Sequence, residues 1–253
     1  MDEEIREQDE QTEQEDKKEI GDILFAGKRK LDNFWYHHKL LFIIGVLALV
    51  FIIFGIVQCA TKVKNDVDIA YIGPKEIGAA EYEQFQEALN EILGEDLNGD
   101  GKIQVGFTRF LYMTGVQAEI AAAKGQAVDY QGLMAVQTQI SLELTGGNLI
   151  LYFIDPEVYK SLSESYLFMD LEDVLGYIPE NKNDDCSVTL GSLPCWEYYD
   201  DGIGIFPEDT ILTARYISAS EENDKDIAER YERSRILFKR LVEFTFDEEE
   251  PGE

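Results

Sequence analysis

The chain has 253 residues, 29% of them charged, and its 51 Asp and Glu against 22 Lys and Arg leave a formal net charge of −29. That length allows one or two domains. The charge argues against nucleic acid as a partner, because phosphate binding rests on Lys and Arg replacing counterions. A solvated acidic surface that keeps copies apart is the plainer expectation.

Residues 1–19, "MDEEIREQDEQTEQEDKKE", bury almost nothing and read as a disordered, acidic, cytoplasmic tail. In 20–39 the spacing of Ile20, Ile23, Leu24, Leu31 and Phe34 predicts an amphipathic juxtamembrane segment, with Trp35 and Tyr36 as interfacial anchors. A plain helical extension of the next element explains the same pattern.

From Leu40 to Thr61, 22 residues carry no formal charge and are bounded by Lys39 and Lys62. At about 1.5 Å per residue they reach roughly 33 Å, enough for a transmembrane helix. Every face is apolar, whereas a soluble surface helix would keep a polar stripe. Lys28, Arg29, Lys30 and Lys39 precede the run, and Lys62, Lys64 and Lys75 follow it, which favours a cytoplasmic N-terminus. "IVQC", ending at Cys59, is a poor lipoprotein cleavage box because Gln58 stands where a small residue is wanted. The expected location is therefore the cell membrane, single-pass, with the C-terminal domain extracytoplasmic.

The body, 65–247, alternates strand and helix patterns and ends in a short acidic tail, 248–253. "VDIAYIG" (67–73) predicts a strand. "AEYEQFQEALNEILG" predicts a helix with Tyr82, Phe85, Leu89, Ile92 and Leu93 on one face and Gly94 as its stop. "KIQVGFTRF" (102–110) predicts a second strand, "YQGLMAVQTQISLELTGG" (130–147) a helix, and "NLILYFID" (148–155) a strand buried on both faces, with a short helix from Pro156. This order predicts an α/β fold: one extracytoplasmic domain with a mostly parallel sheet flanked by helices, behind a single transmembrane helix.

The succession of "VDIAYIG", an amphipathic helix, "KIQV", a helix ending "LELTGGNLILYFID" and then "PEVYKSLSESYLFMDLEDVL" resembles the first lobe of extracellular solute-binding proteins of the type 2 periplasmic-binding fold. Asp155 after the third strand, and Asp170 with Leu171, match that family's aspartate and "dL" turn. The resemblance covers about 66–175 and implies a fold but no binding site, since no ligand-contacting residue matches. Such receptors close two lobes around a ligand. Here the segment after Glu180 is expected to add two or three strands and a closing helix to the first lobe's sheet, so a one-lobed domain is expected.

"DLNGDG" raises a metal question. Asp96, Asn98 and Asp100 occupy positions 1, 3 and 5 of a calcium loop, Gly101 stands at 6, and Lys102 offers its carbonyl at 7. Position 12, where a bidentate Glu belongs, is Phe107. Calcium is the one cofactor suggested; the alternative is a helix-to-strand turn in which Gly99 and Gly101 supply positive φ angles. On the calcium reading, replacing Asp96 and Asp100 by Ala leaves the metal-free domain as stable or more so, because two clustered charges go.

Cys186 and Cys195 flank "SVTLGSLP", and on the oxidising side of a membrane they form a candidate disulfide. Both histidines, His37 and His38, precede the uncharged run, so the body holds none to serve as general base or zinc ligand. No catalytic set stands out, and no enzyme is expected. The expected function is a membrane-anchored extracytoplasmic binding or interaction domain, an accessory component of an envelope complex or transporter. Its expected partners are the lipid bilayer and a protein in the membrane or envelope, any small-molecule ligand being unknown. The alternative is a membrane-tethered solute-binding receptor.

Overall fold

The computed structural model describes residues 40, 43–54, 64–163 and 166–245. The chain forms two compact units, Met1–Val63 and Lys64–Glu253. In the first, residues 43–54 are helical (α1) and expose Ile43, Ile44, Leu47, Phe51 and Phe54. Among the described residues no helix is long and apolar enough to cross a membrane. The expected span 40–61 lies partly outside the described residues. The expected tail 1–19, segment 20–39 and terminus 248–253 lie wholly outside them.

The second unit is built on β1 (Val67–Gly73), β2 (Val105–Leu111), β3 (Leu151–Ile154), β4 (Lys182–Asp184), β5 (Ser187–Thr189) and β6 (Ile211–Ala214). They form one sheet in the order β2-β1-β3-β6-β5-β4. Its helices are α2 (Ala79–Leu93), α3 (Gly115–Ala123), α4 (Tyr130–Gly146), α5 (Pro156–Ser163), α6 (Leu171–Leu175), α7 (Pro194–Tyr198) and α8 (Lys225–Val242).

β1 pairs in parallel with both β2 and β3, as βαβ units require. The other three pairings are antiparallel, so the sheet is mixed and the expected mostly parallel sheet is corrected. Two features of the sequence cause this. Only Asp185 and Cys186 separate β4 from β5, a link that only an antiparallel hairpin tolerates. Between β5 and β6 the one α-helix, α7, has five residues, about 7.5 Å, too short to carry the chain back along the sheet. The segment after Glu180 thus extends the same sheet and closes it with α8.

Alternation along the strands divides the core in two. Ile69, Tyr71, Leu151, Phe153 and Leu212 face α2 and α8, where Phe85, Leu89, Leu237 and Phe238 are buried. Ala70, Ile72, Tyr152, Ile154 and Ile211 face α4 and α5, meeting Ile140, Leu144 and Val158. β1 and β3 are buried on both sides, which is why they are near-continuous apolar runs, broken only by the half-buried Asp68 near the start of β1. Phe85 anchors the first layer, with its ring 4.8 Å from Phe107 and 5.1 Å from Phe206. Each such fully buried side chain stabilises the fold by about 1.5–3 kcal/mol.

Candidate functional site

The chain leaves β1 for β2 through α2 on one face, then passes from β2 to β3, on the other side of β1, through α3 and α4, with α4 packed on the opposite face. The strand order therefore reverses between β1 and β3. In open α/β sheets the crevice outside the carboxyl ends of such strands is the usual place for a ligand. Asp155 stands there, directly after β3. Its Oδ1 accepts from Gln117 Nε2 at 2.8 Å and from the N–H groups of Glu157 and Val158 at 3.0 and 3.2 Å, which ties α3 and α5 to the strand end. Gln117 and Thr114 cap α3 reciprocally, each side chain accepting the other's backbone N–H.

Beside this junction lies a cleft of about 240 Å³, lined by Tyr112 and Thr114 after β2, Gln137 and Ser141 of α4, and Ser161 and Leu162 of α5. Its volume is below the roughly 300–1,000 Å³ of ordinary ligand pockets. The lining hydroxyls serve the backbone: Ser141 Oγ donates to the Gln137 carbonyl at 3.0 Å and Ser161 Oγ to that of Val158 at 2.6 Å. Burial pushes the Tyr112 hydroxyl above its ordinary pKa. The cleft's lining is uncharged, and it is suited to holding a small neutral polar group rather than to moving protons.

The "DLNGDG" loop sits at the other end of the sheet, joining α2 to the start of β2. Asp96 Oδ1 accepts from the N–H groups of Asn98 (3.1 Å) and Gly99 (2.6 Å), and Oδ2 from Gly101 (2.7 Å). These bonds, that from Gly101 foremost, hold its carboxyl below the usual carboxylate pKa. Asn98 Oδ1 accepts from the Asp100 N–H, and Asp100 Oδ1 from the Lys102 N–H, both at 3.0 Å. Gly99 and Gly101 have φ of 76° and 84°, the left-handed region that the turn requires. The side chains of Asp96, Asn98 and Asp100 thus stand in one turn with their oxygens engaged by the loop's own amides, and Lys102 enters the turn through its N–H rather than its carbonyl. Among the described residues no group of three or more His, Cys, Asp and Glu is gathered to hold a metal ion. Lys102–Gln104 belong to this loop, and the second strand begins at Val105.

The candidate disulfide is not formed: Cys186 and Cys195 are free thiols. The sheet lies between them. Cys195 is buried in the layer under α2 and α8, whereas Cys186 packs against the layer under α4 and α5. Burial pushes each thiol up to about 12. At neutral pH both are protonated and poor nucleophiles.

Two buried charges escape sequence reasoning. Asp66, 3% exposed, accepts from Leu97 N–H (2.8 Å) and Asn98 N–H (2.9 Å) through Oδ1 and from Gln104 N–H (2.8 Å) through Oδ2, bracketing the loop against β1. Arg215, fully buried, donates to the carbonyls of Gly147, Leu149 and Tyr216 and pairs with Glu221 at 2.9 Å. In the sequence the sole signal is a charge beside or inside an apolar run, which a solvated strand end shows equally well.

Comparison of the chain with protein-family models, curated proteins and solved structures finds no match.

Proposed function

We propose that the chain is a single-pass membrane protein whose acidic α/β unit lies outside the cytoplasm and works by binding a protein partner, as an accessory component of an envelope complex or transporter. The observation that carries this reading is the exposure of large apolar side chains along helical residues 43–54, inside a 22-residue uncharged run that precedes a separate compact unit. Apolar side chains presented in this way are stable in hydrocarbon and costly in water. Protease added to intact cells or spheroplasts is expected to digest the unit from Lys64 onward and spare residues 1–39. Protection of that unit would refute the orientation.

A membrane-tethered solute receptor is the second reading, favoured by the neutral polar cleft at the reversal of strand order and in keeping with the resemblance to a first lobe of solute-binding proteins. A small neutral solute that raises the melting temperature, by the mass-action stabilisation of the bound state, would support it over the interaction reading.

A further inference from the structure

We infer that the free edge of β2 is a strand-addition site, on which a protein partner lays an extended segment carrying Lys or Arg where it passes Glu83 and Glu87. This names the surface and the partner chemistry of the interaction reading above, and it rests on that reading. The two edges of the sheet are built differently. β4 is three residues long, shifts register against β5 and carries Lys182 and Asp184, features that keep an edge from pairing. β2 is seven residues long, holds one register with β1 throughout and has Arg109 as its one charge.

Val105 shows which way the edge points. Its N–H donates to Asn90 Oδ1 at 2.7 Å and its carbonyl accepts from Gln86 Nε2 at 3.0 Å, both on α2. Backbone groups alternate in direction along a strand, so those of Phe107, Arg109 and Leu111 also point outward, whereas Tyr112 turns its N–H inward to the Gly73 carbonyl. Among the described residues nothing bonds to the outward N–H and C=O groups of these three. Thr108, Arg109 and Leu111 are exposed. Main-chain groups of this kind supply the affinity of an added strand, and the flanking side chains supply its specificity.

Those side chains select the occupant. Val105 and Phe107 face the α2 layer, and Phe110 and Tyr112 the α4 layer. On the first side Tyr82, Gln86 and Asn90 form the row of α2 over the edge, with Tyr82 5.9 Å from the Phe107 ring. The next row outward is Glu83 and Glu87, exposed and in no ion pair, on a helix without a basic residue. Arg109 is turned to the Ile77 carbonyl at 3.1 Å. On the second side Thr108 and Phe110 are neutral. The segment that fits alternates basic residues beside α2 with apolar residues on the α4 side. A second copy fits poorly, because pairing β2 with β2 about a two-fold axis puts both α2 helices on one face, with Glu83 and Glu87 of one copy toward those of the other.

The test uses the full chain purified in detergent and peptides of β2's own length that alternate valine with lysine: one unmodified, one N-methylated at its lysines and one N-methylated at its valines. All carry the same charge, so general attraction to an acidic chain is equal. In an added strand only one of the two sets turns its N–H toward β2. One methylated peptide should therefore bind about tenfold more weakly, or worse, and the other as tightly as the unmodified peptide, read by fluorescence anisotropy. Arg109→Pro removes an outward N–H and spares the ladder to β1, so it should weaken the unmodified peptide where Arg109→Ala does not. Equal binding of the peptides would overturn the inference, as would indifference to Arg109→Pro at unchanged melting temperature, or self-association of the chain that Arg109→Pro abolishes. Proteins that copurify with the full chain from its membrane are scored separately: a partner that stays on Arg109→Pro overturns the edge as its site and leaves the interaction reading standing, whereas a wild-type chain that carries no partner refutes that reading itself.

Discussion

Replacing Asp66 by Ala should destabilise the α/β unit by about 3 kcal/mol without any metal being involved. The carboxylate receives three backbone N–H groups at 2.8 to 2.9 Å, from Leu97, Asn98 and Gln104. A hydrogen bond to a charged group is worth roughly 1.5–3 kcal/mol, and a buried donor left unpaired costs about 1–3 kcal/mol. The three donors are only half-buried, so water takes over part of each bond, and about 1 kcal/mol apiece is the appropriate end of that range. Asp66→Asn keeps the shape and one acceptor oxygen but turns an NH2 toward one of the donors, and roughly half the loss is expected. Urea unfolding followed by circular dichroism measures both variants, with the midpoint falling and the slope unchanged if only native-state bonds are lost. A loss below about 0.5 kcal/mol for Asp66→Ala, the ordinary spread of surface substitutions, would refute the claim that this side chain holds the loop.

In the presence of chelator, Asp96→Ala should lower the melting temperature, because Asp96 organises Asn98, Gly99 and Gly101 through their amides; an unchanged or higher value would restore the expectation from charge clustering alone. Arg215→Met leaves the carbonyls of Gly147 and Leu149 without the guanidinium and Glu221 Oε1 without its charged partner, although Ser218 still donates to Oε2, and should cost roughly 3–5 kcal/mol in urea unfolding. Burial alone would raise the pKa of Glu221, but the Ser218 N–H and hydroxyl and then Arg215 outweigh it and leave it lowered; with Asp96 also lowered, stability is whole above the unfolded carboxylate range near pH 4 and is lost as pH falls through the folded values. Glu221→Gln should flatten that acid limb of the melting-temperature profile. Without reductant, Cys186 and Cys195 should alkylate slowly in the native unit and quantitatively once it is denatured; a linked peptide pair in the mass spectrum would contradict the free thiols.

What is legible in this sequence is whatever a short window decides. "VDIAYIG" is an apolar run broken only by Asp68 and bounded by Asp66 and Pro74, and β1 spans those seven residues. The period of "AEYEQFQEALNEIL" names the face that α2 buries, with Phe85, Leu89, Ile92 and Leu93 all inside. Direction and sidedness are set by longer separations. The partners of Asp66 lie 31 to 38 residues away, and two carbonyls held by Arg215 lie 66 and 68 away, so no local spacing distinguishes either residue from a solvated charge. Cys186 and Cys195 are close enough in sequence to suggest a hairpin bridge, yet the chain carries them to opposite faces of the sheet, which no spacing reveals.

The same limit applies to α4. Its thirteen charge-free residues are as compatible with a helix buried all round as with one that lies on the surface. Only the placement of α4 over β1 and β3, with Ile140 and Leu144 inward, leaves Met134 and Leu142 outside. Whether an uncharged stretch in an acidic chain is core or surface is thus decided by which of its faces the sheet covers, a fact that lies outside any window of the helix itself.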